Sequence, residues 1–209
     1  MRKLMLGVVL AAAGLIGQLA QAEEFQAGKE YVELRNPVPT IDADKIEVVE
    51  LFWYGCPHCY QFEPVVHPWA EQLPEDVIFR RIPAMFGGVW NLHGQLFIAL
   101  EAMNVGEEVH QAVFAAMHRD GKKLATPEAM ADLLVDHGVE REAFLKTFNS
   151  FGVRSATEKA KRQGMAYQIT GVPVMVVNGK YRFDLGSAGG PQRTLEVADY
   201  LIDKERAAR

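Results

Sequence analysis

Cys56 and Cys59 are the only cysteines in the 209-residue chain, and two residues separate them. Thiols at that spacing can close a small disulfide, and the thiolate is the form that attacks or leaves in exchange. The residues before them, Glu50-Leu51-Phe52-Trp53-Tyr54-Gly55, read as an apolar strand ending in a glycine turn. Those that follow read as the opening of a helix. Pro57 suits its first position, where a missing N–H costs no bond. A thiol at a helix start has its anion stabilised by free backbone N–H groups and by the positive end of the dipole. The chemistry on offer is that of a redox-active dithiol on a strand-to-helix corner. A structural cross-link is the poorer reading, because so short a loop restrains the unfolded chain little. Zinc would want four ligands; there is no second cysteine pair, and His58 cannot easily share one ion with both flanking thiolates. No metal is expected.

The elements that must position this pair are legible on either side. Ile46 to Tyr54 is nearly continuous Val, Leu, Phe, Trp and Tyr, the pattern of a central strand covered on both faces. Glu50 interrupts it. Flanked by apolar residues, it is read as a buried carboxylate with a raised pKa, able to move protons as the thiols react; the alternative is a solvated spot on the strand. Beyond Cys59 a helix should run towards Leu73, kinked where Pro64 and Pro68 remove ladder bonds. Glu63 lies one turn after Cys59 on the same face, either a second charge near the dithiol or a solvated helix residue. Val77 to Ile82 reads as a second strand carrying Arg80 and Arg81.

The chain opens with Arg2 and Lys3, an apolar run from Leu4 to about Ile16, and the small-residue site Ala20-Gln21-Ala22. That is the pattern of a secretory signal peptide cleaved after Ala22. The run is shorter than the roughly 20 apolar residues a membrane anchor needs, so the mature protein is expected to be soluble and not membrane-inserted. Removing residues 1–22 leaves 20 basic against 27 acidic side chains, a net charge of −7, which argues against nucleic acid as a partner.

From Met85-Phe86-Gly87-Gly88 onward the pattern turns helical for about seventy residues. Helices are expected over 91–103, 107–118, after the Thr126-Pro127-Glu128 cap, and over 140–148. This block reads as a small helical bundle inserted into a sheet-containing domain. Its histidines, His93, His110, His118 and His137, are scattered singly and read as structural or solvated. A helix over 155–168 precedes Thr170-Gly171-Val172-Pro173, and Asn178-Gly179 between two β-rich runs marks a hairpin. Gly186 to Gly190 closes the hairpin region, and Pro191 opens a last helix. No internal repeat is visible.

Phe52 to Phe62, with Cys56-Pro57-His58-Cys59 at its centre, resembles the active site of the DsbA family of periplasmic thiol:disulfide oxidoreductases. Gly171-Val172-Pro173 with Val176-Val177-Asn178-Gly179-Lys180-Tyr181 resembles that family's cis-proline loop and hairpin, and Met85-Phe86-Gly87-Gly88 the start of its helical insertion. The resemblance implies an α/β chain, a thioredoxin fold with an inserted α-helical domain. Its parts are a signal peptide (1–22), a thioredoxin-like domain (23–87 and 155–209) and the insertion (88–154). It makes Cys56 the exposed nucleophile and Cys59 its buried partner. It tunes the pair through Pro57, His58, Glu50 and Glu63, with Arg81 near the position of a basic partner for Glu50. It makes Val172-Pro173 a cis peptide where the client chain docks.

The activity implied is donation of the Cys56–Cys59 disulfide to reduced, newly exported proteins in the periplasm, with no cofactor beyond that disulfide. A DsbB-like inner-membrane protein would reoxidise it, and the protein would act as a monomer. Trp53, Met85, Phe86 and Trp90 offer an apolar contact surface or ordinary core packing. The alternatives are a disulfide isomerase or reductase, and a chaperone-like binding module. The family's reactive cysteine titrates at ~3.5 against ~8.5 for a free one, a family value and not one read from these residues. That difference amounts to roughly 7 kcal/mol favouring thiolate. A helix dipole supplies at most ~2 kcal/mol, so N–H groups and the His58 side chain are expected to supply the rest.

Overall fold

The computed structural model describes residues 25–209; the expected signal peptide lies outside the described residues. After a two-residue edge strand, β1 (Val32–Glu33), comes β2 (Ile46–Phe52), whose seven residues are all buried. Helix α1 (Pro57–Glu71) carries the chain across to β3 (Val77–Pro83), which pairs with β2 in parallel. A helical crossover is what a parallel pair requires. Five helices follow: α2 (Gly88–Ala102), α3 (Glu107–His118), α4 (Pro127–Val135), α5 (Arg141–Phe148) and α6 (Phe151–Ala166). The hairpin β4 (Val174–Val177) and β5 (Tyr181–Asp184) completes a sheet of order β1-β5-β4-β2-β3, before α7 (Leu185–Ala188) and α8 (Pro191–Ala207) end the chain.

Strand alternation decides what each face of β2 meets. Ile46 and Val48 pack with Phe62 and Val66 of α1 and with Ala198, Leu201 and Ile202 of α8. Val49 and Leu51 face the other way, onto Ala160 and Tyr167 at α6. The third core joins Leu96, Phe97, Val113, Phe114, Met130 and Phe144 of the insertion to Phe52, Tyr54, Cys56 and Cys59. The cysteine corner is therefore built into the seam between sheet and helical insertion.

Several local expectations meet the structure differently. α1 takes in Pro64 and Pro68 as a single helix and ends at Glu71, short of the expected Leu73. α6 begins at Phe151, because the Ser150 hydroxyl accepts the Val153 N–H at 3.2 Å and caps the helix there. The expected domain junction at 154–155 therefore falls within this helix. Residues 185–188 form a short helix, since a capping box between Asp184 and Ser187 offsets the poor helix propensity of Gly186. The Asn178-Gly179 turn is as expected, with both residues at positive φ (50° and 63°), and Lys180 lengthens the loop between the paired Val177 and Tyr181. Gly179 has a second reason to lack a side chain: a Cβ there would sit 1.9 Å from the Val38 carbonyl oxygen.

Candidate active site

Cys56 is the N-cap of α1. Its backbone is extended (φ −88°, ψ 116°), Pro57 occupies the first turn, and its sulfur accepts the Cys59 N–H at 3.3 Å. The thiol thus does the work usually left to a serine or aspartate oxygen, meeting a backbone donor that has no helical partner. Across the cleft the Val172–Pro173 peptide is cis, and the Val172 carbonyl oxygen lies 3.5 Å from Cys56 Sγ. Cys56 keeps 7% of its surface and Cys59 none. The expected exposed nucleophile is therefore recessed, with the carbonyl of the proline loop over its sulfur and its side chain part of the core shared with the insertion. A groove of about 580 Å³ runs from His58 and Gln61 along Thr170, Gly171, Val172 and Pro173.

The two thiols are driven apart in acidity. Cys56 is held at about 6, chiefly by the hydrogen bond from Cys59, against the cost of burial and with help from the Cys59 and His58 backbone. Cys59 is pushed far above the ordinary thiol range, first by burial and then by Cys56 itself and the charge of Glu50. One proton therefore stays on Cys59 while Cys56 carries the charge. The hydrogen bond expected from the His58 side chain is not among those made to the sulfur; His58 is exposed, and it acts through its backbone and, least, its charge.

Beneath the dithiol, burial gathers three carboxylates around one guanidinium. Arg81 donates from Nε to Glu50 (3.1 Å), from Nη2 to Glu63 (3.0 Å) and from Nη1 to Glu107 (2.9 Å). Glu50 is fully buried and Glu63 nearly so, which decides both readings the sequence left open. Glu107 is partly exposed, so the one cation is shared among three carboxylates of which two are cut off from water. Burial outweighs the Arg81 attraction and, with the charge of Glu63, raises Glu50 to about 8. Glu63 rises to about 7 for the same first reason. At neutral pH Glu50 is a proton carrier in its acid form.

Two further residues join this cluster. His110 is buried, its Nδ1 2.8 Å from the Tyr54 hydroxyl and its Nε2 3.3 Å from Glu63. Burial first, and then Arg81, hold it down to about 3, so it is neutral. Glu63, Glu107 and His110 bring one ligand atom each within 4.8 Å of one another. Arg81 already donates to both carboxylates, however, and its charge opposes a second cation. His93 plays a structural part on the other side of the corner. Trp53 Nε1 can only donate, so it fixes Nδ1 of His93 as acceptor (3.1 Å) and leaves Nε2–H for the carbonyls of Lys123 (3.2 Å) and Leu124 (3.3 Å).

Of the residues expected at the site, Pro57, His58 and Val172 adjoin Cys56 and the charge of Glu50 acts on Cys59, whereas Glu63 meets Arg81 and His110 rather than either sulfur; the parts of Glu107, His110 and Tyr54 were not foreseen. Their only advance signals were a first-turn acid, a lone histidine and an aromatic at the end of a strand. Trp53 stacks on Trp90 (3.9 Å between centroids), Phe86 is 45% exposed, and Met85 is buried. Of the four apolar residues, Met85 is core packing and Phe86 is surface.

A recessed low-pKa thiol, its protonated partner one turn on, and a proline loop across from both define a thiol:disulfide oxidoreductase on a thioredoxin-like sheet. Residues 47–199 match the family model described as the DSBA-like thioredoxin domain. The chain is 64% identical over 208 residues to the thiol:disulfide interchange protein DsbA of Pseudomonas aeruginosa, covering 100% of this chain and 99% of that one. It is 63% identical over 214 residues to DsbA of Azotobacter vinelandii, covering both chains fully (100%). The crystal structure of Pseudomonas aeruginosa DsbA superposes with a TM-score of 0.87 at 65% identity, over 90% of this chain and 97% of that one. That of the Xylella fastidiosa oxidoreductase gives 0.82 at 34% identity, over 87% and 98%. The chain belongs to the DsbA family of thiol:disulfide interchange proteins, with Cys56–Cys59 as its redox pair.

Proposed function

We propose that the protein donates its Cys56–Cys59 disulfide to reduced polypeptides that have been exported to the periplasm. Export would use residues 1–22 as a signal peptide cleaved after Ala22. No helix among the described residues is long and apolar enough to cross a membrane. In the first step a client thiolate attacks Cys56 Sγ. The Cys56–Cys59 bond breaks, its electron pair leaves on Cys59, and Glu50 supplies the proton that buried sulfur needs. A second client thiolate then attacks the client sulfur of the mixed disulfide, and Cys56 leaves as thiolate. The client gains one disulfide and the protein gains two electrons; Glu50, left as carboxylate, recovers its proton from solvent.

Cys56 and Cys59 are the catalytic pair in this reading. Pro57, His58, Glu50 and Glu63 tune it, and Val172 and Pro173 face the docked client. A DsbB-like membrane protein would return the disulfide, and the working unit would be a monomer, residues 23–87 and 155–209 carrying the 88–154 insertion. The observation that carries the proposal is the capped, low-pKa Cys56 sulfur: a stabilised thiolate leaves readily, so the disulfide is readily given away.

Two measurements test it. At equilibrium with a glutathione series, the protein should be reduced under conditions that leave an ordinary structural disulfide closed; a bridge as hard to reduce as a structural one ends the proposal. Thiolate absorbance against pH should give a midpoint near 6 for Cys56. A midpoint at the family's ~3.5 would require donors beyond those around this sulfur. Replacing His58 with Ala should raise the midpoint only modestly, because its exposed charge is the weakest of the influences lowering Cys56. A rise as large as that caused by removing the Cys59 thiol would contradict this ranking.

A further inference from the structure

The cysteine corner opens on a second groove, of about 370 Å³, which shares no lining residue with the one along the proline loop. Gly55 and Pro57, the two chain neighbours of Cys56, belong to it, so it lies beside the residue that reacts. Its walls are Trp53, Val89 and Met117, and its rim is Lys122 and Lys123. Val89 is 42% exposed, and Phe86, at 45%, extends the apolar surface beyond it.

The rim is positive in a chain whose net charge is −5. Lys122 and Lys123 are both exposed. The acid nearest in sequence, Asp120, is already held by Arg119 through bonds of 2.8 and 3.1 Å, and no ion pair among the described residues takes either lysine. The loop that carries them is fixed rather than loose. The Lys122 N–H donates to the Ala116 carbonyl at 2.9 Å, the Lys123 carbonyl accepts from His93, and Leu124 is buried. His93 also accepts from Trp53, so one hydrogen-bonded wall joins the aromatic floor to the basic rim.

We propose that this groove docks the client segment on one side of its reactive cysteine, and that it selects segments pairing an apolar side chain with an acidic one. The inference rests on the reading of the protein as an oxidant of polypeptides. The apolar floor takes the side chain beside the cysteine, and the two lysines take the acid beyond it. Charge placed around a site in this way acts mainly on partner choice and on the rate of productive encounter.

The test uses the oxidised full-length mature protein and single-cysteine peptides. Each has leucine beside the cysteine and either Glu or Lys two residues from it, placed on the N-terminal side or on the C-terminal side. The readout is the rate of mixed-disulfide formation, followed by mass after acid quench. At low salt the Glu peptide should react about five- to tenfold faster than its Lys counterpart, for one of the two placements only. Raising the salt should shrink the ratio. In the Lys122→Glu, Lys123→Glu double variant the ratio should invert. Comparing ratios between proteins cancels the effect of the neighbouring charge on the peptide's own thiol. A ratio that the double variant leaves unchanged overturns the proposal. So does an equal preference for both placements, which would mark general steering rather than a docked segment. If neither peptide reacts with the unsubstituted protein, the reading beneath this one fails too; if all react equally, only the groove assignment falls.

Discussion

The Cys56→Ser variant should fold normally and transfer no disulfide. Serine is among the best N-cap residues, so its hydroxyl can still accept the Cys59 N–H and keep the first turn of α1 closed. The loss is chemical. Cys59 remains, but it is fully buried and keeps its proton across the working pH range. It can neither be reached by a client nor present a thiolate. A sulfur titrating near 6 is about nine-tenths thiolate at pH 7, whereas an ordinary thiol at ~8.5 is only a few per cent so. The experiment pairs thermal unfolding with disulfide transfer to a reduced peptide. Unchanged unfolding together with transfer at the rate of buffer alone is expected. Measurable residual transfer would mean that Cys59 reacts directly, contrary to its burial.

The second large effect is on stability. Replacing Arg81 with Met should cost about 3–5 kcal/mol at pH 8, because it strands buried carboxylates without their cation. The loss should be much smaller at pH 5, where the carboxyl groups carry protons and need no partner. The sign follows from proton counting. Glu50 and Glu63 are raised in the folded protein to about 8 and about 7. The folded state therefore holds more protons than the unfolded one between the ordinary glutamate range and those values. Stability in the unsubstituted protein must then fall as pH rises through that window. Urea unfolding at both pH values reads both effects. A Glu50→Gln variant should flatten the slope up to about pH 8, since the amide has no proton to lose. A loss from Arg81→Met that is the same at pH 5 and pH 8 would show that packing rather than charge carries the cluster.

The sequence was most informative where chemistry and local geometry coincide. Cys56, Pro57 and Cys59 lie within one turn of chain, so capping, spacing and reactivity can be read together. The Asn178-Gly179 turn is likewise a two-residue matter, and the burial of Glu50 follows from its apolar neighbours. What stayed hidden depends on contacts between distant segments. Arg81 meets Glu107 across 26 positions and Tyr54 meets His110 across 56, and none of these residues carries a local mark of its partner. His58 shows the opposite error. It looked like a donor to the sulfur because of its place in the motif, but its side chain points into solvent and the backbone does that work. The short helix at Leu185 is hidden because the glycines of 186–190 read only as the close of the hairpin region, and the Asp184–Ser187 cap reverses the balance.

The capping role of Cys56 has a mechanical side. A thiolate sulfur is a far better acceptor than one tied into a disulfide, so the Cys59 amide is held more firmly in the dithiol form than in the oxidised one. Each cycle therefore tightens and slackens the start of α1. Hydrogen exchange at the Cys59 amide should be slower after reduction, making the fraying of one helix end a gauge of the electrons the molecule holds.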